Sequence, residues 1–241
     1  MLQKTRGVVL HQIKYTDYSR IVHFYTEHFG RLSCLVRIAR KKHAANPVGL
    51  LHPLSLVEME LYYRSSRELQ HVKEIRSSIV FTSIPFDVKK ETVALFLGEV
   101  MYRTLREEES NPGLFDFLYN AIHFFDTTDE GIVNFHLYFL LHLTRFLGFF
   151  PVNNWSETNP FFDLQNGIFV AGIPAHGKYL DEEDSRLLNQ LMSASMSHLS
   201  QRKWLAGQRN GLLHHLLSFY RFHIESFGEI KSLPVISDIF H

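Results

Sequence analysis

The residues best suited to chemistry in this chain are bases. Arg37-Ile38-Ala39-Arg40-Lys41-Lys42-His43 packs four permanent positive charges into six residues, directly after an apolar run that reads as a strand. On the rim of a small barrel such a segment can follow a phosphate backbone, because each phosphate it neutralises releases condensed counterions. Lys14, Arg20 and Arg31, and with them Arg6, extend the patch if they face the same side. Tyr15, Tyr18 and Tyr25 offer rings on which bases could stack, burial in the barrel being the competing use for each. No base-reading motif is present, so binding by these residues should be largely independent of nucleotide sequence.

Other chemistries find little material. There is no GxxxxGKS/T phosphate loop, no GxGxxG, no HExxH and no GxSxG. The chain has 15 histidines, but His214 and His215 are adjacent and point to different sides of a helix, and neither stands four residues from His223. His71 and Glu74 lie within a strand-like run. The single cysteine, Cys34, sits among Leu32, Leu35 and Val36 and reads as a small core residue; alone it can form neither an internal disulfide nor a multi-cysteine zinc site. Glu107-Glu108-Glu109 reads as a solvated helix end. No catalytic residue, cofactor site or metal site is expected.

Two differently built halves must position the basic residues. Residues 1–80 hold 13 Lys and Arg against 6 Asp and Glu, and residues 81–241 hold 12 against 19, so a net charge of zero conceals a basic half and an acidic half. That asymmetry suggests that the first half meets a polyanion. The first half reads as five short strands: Val8 to Ile13, Arg20 to Thr26, Arg31 to Val36, Leu54 to Tyr62 and Glu68 to Ser77. His28-Phe29-Gly30 supplies a hairpin turn and Ser65-Ser66 another. In the fourth strand Val57, Met59 and Leu61 alternate with Glu58 and Glu60, so one face is buried and the other wet. Five strands suit an OB-fold, although strand counting leaves an SH3-like barrel open.

From Asp87 the period becomes helical. Helices are expected from Val88 into the acidic run, from Leu114 to Phe125, from Ile132 to Leu147, from Glu182 to Met192 and from Leu212 to Ile224. An irregular insertion at about 152–173 contains a hairpin around Asn166-Gly167. The expected fold class is therefore α+β, with a small antiparallel β-barrel at 1–80 followed by a mostly α-helical domain at 81–241. With 21 Phe, 10 Tyr and 2 Trp, core material is plentiful. The most apolar window, Leu137 to Phe150, is broken by His142 and Arg145 and is too short to span a bilayer. The N-terminus lacks a signal-peptide pattern, and a cytoplasmic location is expected.

The sequence resembles the RecO family of bacterial recombination mediators. Tyr15-Thr16-Asp17-Tyr18-Ser19-Arg20-Ile21-Val22 and then Thr26-Glu27-His28-Phe29-Gly30-Arg31 are similar to its Y-x-E/D-x-x-R-I-V and T-x-x-x-G-R/K signatures. Val36-Arg37-Ile38-Ala39-Arg40 is similar to V-x-K/R-G-A-R, with Ile38 replacing the usual Gly. Leu51-His52-Pro53-Leu54-Ser55-Leu56-Val57-Glu58, Asn111-Pro112-Gly113-Leu114-Phe115, Leu147-Gly148-Phe149-Phe150-Pro151 and Gly228-Glu229-Ile230-Lys231-Ser232 follow in the family's order. Many members carry two C-x-x-C pairs after the L-G-Y-x-P motif. Residues 152–172 here contain no cysteine, so zinc should be absent. Phe161, Phe162, Leu164, Ile168 and Phe169 would then hold that region as an apolar cluster.

The resemblance implies an N-terminal OB-fold, a helical second domain and a non-enzymatic role in DNA repair and homologous recombination. It implies binding to single- and double-stranded DNA, strand annealing, and work with RecR and single-stranded-DNA-binding protein to load RecA, in the cytoplasm and at the nucleoid. Arg37, Arg40, Lys41 and Lys42 are the first candidates for DNA, and Lys14, Arg20 and Arg31 the second. Arg145, Arg202 and Lys203 are candidate rim charges for a partner's acidic, aromatic-ended tail. The competing readings are a general RNA-binding OB module, a metal-dependent nuclease assembled by folding, and a scaffold whose basic face meets an acidic protein.

Overall fold

A computed structural model describes residues 1–38 and 47–239 and divides the chain into two compact units, Met1–Thr127 and Thr128–His241. In the first unit β1 (Leu2–Thr16), β2 (Ser19–Thr26), β3 (Gly30–Arg37), β4 (Leu56–Tyr62) and β5 (Leu69–Ser77) close a barrel in the order β1-β2-β3-β5-β4. β1 begins six residues before the run legible in the sequence, because its first half pairs with β4 and its second half with β2. Every pairing is antiparallel except β3 with β5. This closed five-stranded topology is that of the OB-fold.

Alternation fills the barrel. Val22 and Phe24, then Leu32, Cys34 and Val36, then Val57, Met59 and Leu61 point inward and are buried. Burial pushes the Cys34 thiol up to about 12, which leaves it an inert core group. Tyr25 is buried as well, which removes it from the candidate stacking residues.

After β5 the chain is tied down by Asp126. Its carboxylate accepts the backbone N–H groups of Thr82 (2.8 Å), Ser83 (3.0 Å) and Ile84 (2.9 Å). Burial by itself would raise this carboxyl, but those donors outweigh it and hold the group below its ordinary value. Helix α1 (Val88–Thr104) starts at Asp87, whose carboxylate accepts from the N–H groups of Lys89 and Lys90 at 2.7 and 3.1 Å. It ends at Thr104, short of the acidic run that was expected to belong to it. That run instead passes along the barrel: the Glu107 carbonyl accepts the Arg31 N–H at 2.9 Å. Gly30, at φ +59°, permits the approach, since a Cβ there would collide with the carbonyls of Glu107 and Glu109. Helix α2 (Pro112–Thr127) completes the unit.

The second unit contains α3 (Ile132–Phe146), three short strands β6 (Phe161–Asp163), β7 (Ile168–Val170) and β8 (Tyr179–Leu180), and helices α4 (Glu182–Met192), α5 (Ala206–His223) and α6 (Leu233–Ile239). The Asn-Gly hairpin is present, with β6 pairing to β7 on one side and to β8 on the other. Neither β8 nor α6 was legible in the sequence. Of the five residues expected to cluster, Phe162, Leu164 and Phe169 are buried, with Phe219 of α5 against the Phe162 ring. Phe161 and Ile168 are only half-buried. A polar hub supplements them. Asp163 accepts from the N–H groups of Gln165 and Asn166, from the Asn166 amide at 2.7 Å, and pairs with His176 at 3.2 Å. Among the described residues no helix is long and apolar enough to cross a membrane.

Candidate nucleic-acid interface

One end of the barrel gathers part of the predicted patch. Lys14 and Arg20 stand directly opposite each other on β1 and β2, and Arg37 stands opposite Ser19 at the end of β3. The Ile38 N–H donates to the Tyr18 carbonyl at 2.9 Å, so the chain leaves β3 alongside the β1–β2 turn. Arg40, Lys41 and Lys42 lie outside the described residues. Tyr15 and Tyr18 are exposed in the same hairpin, as a stacking role requires.

Arg31 and Arg6 are used elsewhere. Arg31 sits six residues before Arg37 on the same strand, about 20 Å away at strand rise. Its guanidinium donates to the carbonyls of Tyr102 and Leu105, both at 2.9 Å, and lies 4.6 Å from the Tyr102 ring centre. Those carbonyls belong to the C-terminal end of α1, where a cation also meets the negative pole of the helix dipole. Arg6 makes a two-pronged bond to Glu27, at 2.9 and 2.7 Å, and lies over the rings of Phe115 and Tyr119.

The charges of the barrel sort into neutralised and free. Lys4 and Lys73 share Glu60 (3.1 and 3.0 Å), Arg76 pairs with Glu58, and Lys14 pairs with Asp17 at 2.9 Å in full solvent. Arg20, Arg37, Arg64 and Arg67 have no carboxylate at ion-pair distance among the described residues. Arg64 and Arg67 occupy the β4–β5 turn and are exposed. The Arg-Ser-Ser-Arg spacing of that turn is the sequence signal for them. Lysine and arginine left without acids are the groups able to exchange counterions for phosphates.

Two histidines on the outside of the barrel are shielded. His11 and His23 stand opposite each other, and the Tyr102 ring lies 4.7 and 5.0 Å from theirs. Burial, then Arg31 and His11, push the His23 imidazole down to about 4, so it is neutral at pH 7. Its Nδ1 lies 2.9 Å from Ser33 Oγ. Among the described residues no group of three or more His, Cys, Asp or Glu converges as a metal site would require.

In the second unit the three candidate partner residues do not share one rim. The Arg202 carbonyl accepts from Asn134, in the first turn of α3, whereas Arg145 lies eleven residues on, about 16 Å along the helix. Arg145 is exposed and lies 4.1 Å over the Phe150 ring, beside His142 and Tyr138. Lys203 is exposed next to Arg202.

An OB-fold barrel whose rim carries arginines without a carboxylate partner among the described residues has the features of a nucleic-acid-binding protein. Comparison with known proteins narrows that class. Residues 1–79 match the family described as Recombination protein O N terminal, and residues 85–234 match Recombination protein O C terminal. The chain is similar to DNA repair protein RecO of Phocaeicola vulgatus, at 39% identity over 240 residues, and of Bacteroides fragilis, at 40% over 241 residues, each covering 100% of both chains. It is also 33% identical to the Flavobacterium psychrophilum protein over 239 residues, 98% of each chain. The chain belongs to the RecO family, and its role is in DNA repair and recombination.

Proposed function

We propose that the protein acts without bond-breaking chemistry, by binding DNA at the barrel end that carries Lys14, Arg20 and Arg37 and continues into Arg40, Lys41 and Lys42. The observation that carries this reading is the separation of charge on the barrel. The bases of the β1–β4–β5 face are matched to carboxylates, while Arg20 and Arg37 beside the β1–β2 turn are not. Excess positive charge at one place offsets the repulsion between two strands, which is the physical requirement for annealing. Arg31 is left out of this site, being used by α1.

Association with RecR, and through single-stranded-DNA-binding protein with RecA loading at the nucleoid, is the corresponding cellular proposal. Arg145 stacked on Phe150 is the better supported docking point for an acidic, aromatic-ended tail, because an exposed cation and a half-buried ring stand together there. In this reading the DNA-binding part ends near residue 80 and the helical part runs over 81–241.

The test is the salt dependence of binding. Changing Arg37, Arg40, Lys41 and Lys42 together to Ser should lower the log–log salt slope by about 3 to 4, at roughly 0.7 to 0.9 per phosphate contact. Stability should change by less than about 1 kcal/mol, the usual ceiling for charges that face solvent, as this segment is expected to. A variant that binds and anneals like the parent at every salt concentration refutes the assignment. Tighter binding to ribose than to deoxyribose oligonucleotides would favour the RNA module, and cleavage of labelled DNA with Mg²⁺ or Mn²⁺ the nuclease.

A further inference from the structure

The outward rows of the barrel differ sharply in character. One row pairs charges, Glu58 opposite Arg76 and Glu60 held between Lys4 and Lys73. A second, His11 and His23, is roofed by Tyr102 of α1. A third is neither charged in this way nor roofed. Ile13 stands opposite Ile21, Ile21 opposite Leu35, Leu35 opposite His71, and His71 opposite Tyr62, so one register line crosses all five strands. Ile13 and Tyr62 are 45% and 53% exposed, and the three residues between them are half-buried. Outward positions of a barrel are ordinarily polar, and a line there that is aliphatic and aromatic but for one imidazole marks a surface that something covers.

The line ends in a groove of about 360 Å³ between β3 and β5, lined by Leu35, Arg37, Tyr62, His71, Lys73 and Glu74. Two of these bases are differently placed. Lys73 is held by Glu60, whereas Arg37 has no carboxylate partner among the described residues and sits where β3 leaves the barrel. Glu74 lies three residues beyond His71, so anionic phosphates are favoured toward Arg37 and disfavoured along β5. On the other side, two residues past Tyr62, the exposed Arg64 begins a turn that also carries Arg67. An aromatic ring, an imidazole and aliphatic side chains, between two cations with no carboxylate partner among the described residues, form a platform for unstacked bases with anchorage for the backbone on either side.

We propose that a single DNA strand crosses the barrel along this line, with a base stacked on Tyr62 in the β3–β5 groove and the backbone running between Arg37 and the β4–β5 turn. α1 closes the neighbouring part of the β2–β3 surface, which displaces the path toward β5 and β4. A duplex keeps its bases stacked inside and cannot use Tyr62, so this groove discriminates single from double strands while the basic rim serves both. The inference rests on the DNA-binding reading above, and its test separates the two.

Tyr62→Ala in the full chain should weaken binding to an oligo-dT by roughly 5- to 150-fold, the range for losing one base–aromatic stack, and change duplex affinity less than 2-fold. Tyr62→Phe should bind as the parent does, because the ring and not the hydroxyl is used. With an exposed side chain truncated, the thermal midpoint should hold in a melt followed by circular dichroism. Crosslinking of an iodouracil-substituted single strand should map to Tyr62 or His71. If Tyr62→Ala leaves oligo-dT binding unchanged, or weakens single- and double-strand binding equally, the groove is not the strand path. Should the rim substitutions abolish binding while Tyr62→Ala has no effect, this inference fails and the DNA reading stands. If neither changes binding, both fail.

Discussion

Arg31 separates a structural use of charge from a DNA-binding one. Arg31→Ala removes two bonds of 2.9 Å to the carbonyls of Tyr102 and Leu105 and a guanidinium 4.6 Å from the Tyr102 ring centre. Hydrogen bonds to a charged group contribute about 1.5 to 3 kcal/mol each, and an exposed cation–ring contact about 0.5 to 1. The side chain is half-exposed, and water can reach the freed carbonyls at a helix end, so the lower figures apply and screening trims them further. A loss of about 2 to 3 kcal/mol follows for the first unit. Urea unfolding of the full chain measures it. Trp155 and Trp204 both lie in the second unit, so tryptophan fluorescence reports that unit, and the remaining circular dichroism change reports the first. With a slope of about 2 kcal/mol per molar urea, the first-unit midpoint should fall by about 1 to 1.5 M while the fluorescence midpoint holds. Arg31→Lys keeps the charge but not the planar fork, and should recover less than half of the loss. The salt slope of DNA binding should stay within about 0.5 of the parent in both variants, less than the value of one phosphate contact. A variant with unchanged stability and a slope lower by about 0.7 to 0.9 would show Arg31 on phosphate and refute the assignment to α1.

Two further outcomes are expected. Burial, with Arg209 beside it, pushes His136 down to about 3, and burial with Arg145 pushes His142 down to about 4, alongside His23 at about 4. Each takes up protons in the unfolded chain below its ordinary value of 6.5 but not in the folded one. Stability should thus be flat above pH 6.5 and fall from there to about pH 4, with a slope approaching about 1.4 kcal/mol per pH unit for each histidine; a urea midpoint that does not decline over this window counts against their burial as neutral groups. Asp163→Ala leaves the Gln165 and Asn166 donors and His176 without their acceptor and should destabilise the second unit by about 2 to 4 kcal/mol. The tryptophan transition should shift while oligonucleotide binding persists, and loss of binding with an unshifted transition would contradict that division.

Residue order alone determined the local elements and the family. Alternation of Val57, Met59 and Leu61 with Glu58 and Glu60 forces one face of β4 inward whatever the fold, and Gly30 and Gly167 supply the positive φ that their tight turns need. The apolar period of Ile132 to Leu147 likewise yields α3 from its own spacing. Cys34 among apolar neighbours was legible as core for the same reason, since burial of an apolar strand face depends on near residues only.

What depended on distant residues was decided by the tertiary structure. Closure of β1 on β4, and of β3 on β5, links segments about fifty to sixty and more than thirty residues apart, which no window of local periodicity reports. Charge shows the same limit. Lys4, Arg6, Arg31 and Arg76 look like Arg37 in sequence, but folding gives the first, second and fourth a carboxylate and the third a helix end. Only the register places Ile13, Ile21, Leu35, His71 and Tyr62 on one line, because β-strand neighbours across a sheet are set by pairing and not by sequence separation. Composition established that the first half is basic; which of those bases remain free to meet an anion is a property of the folded surface.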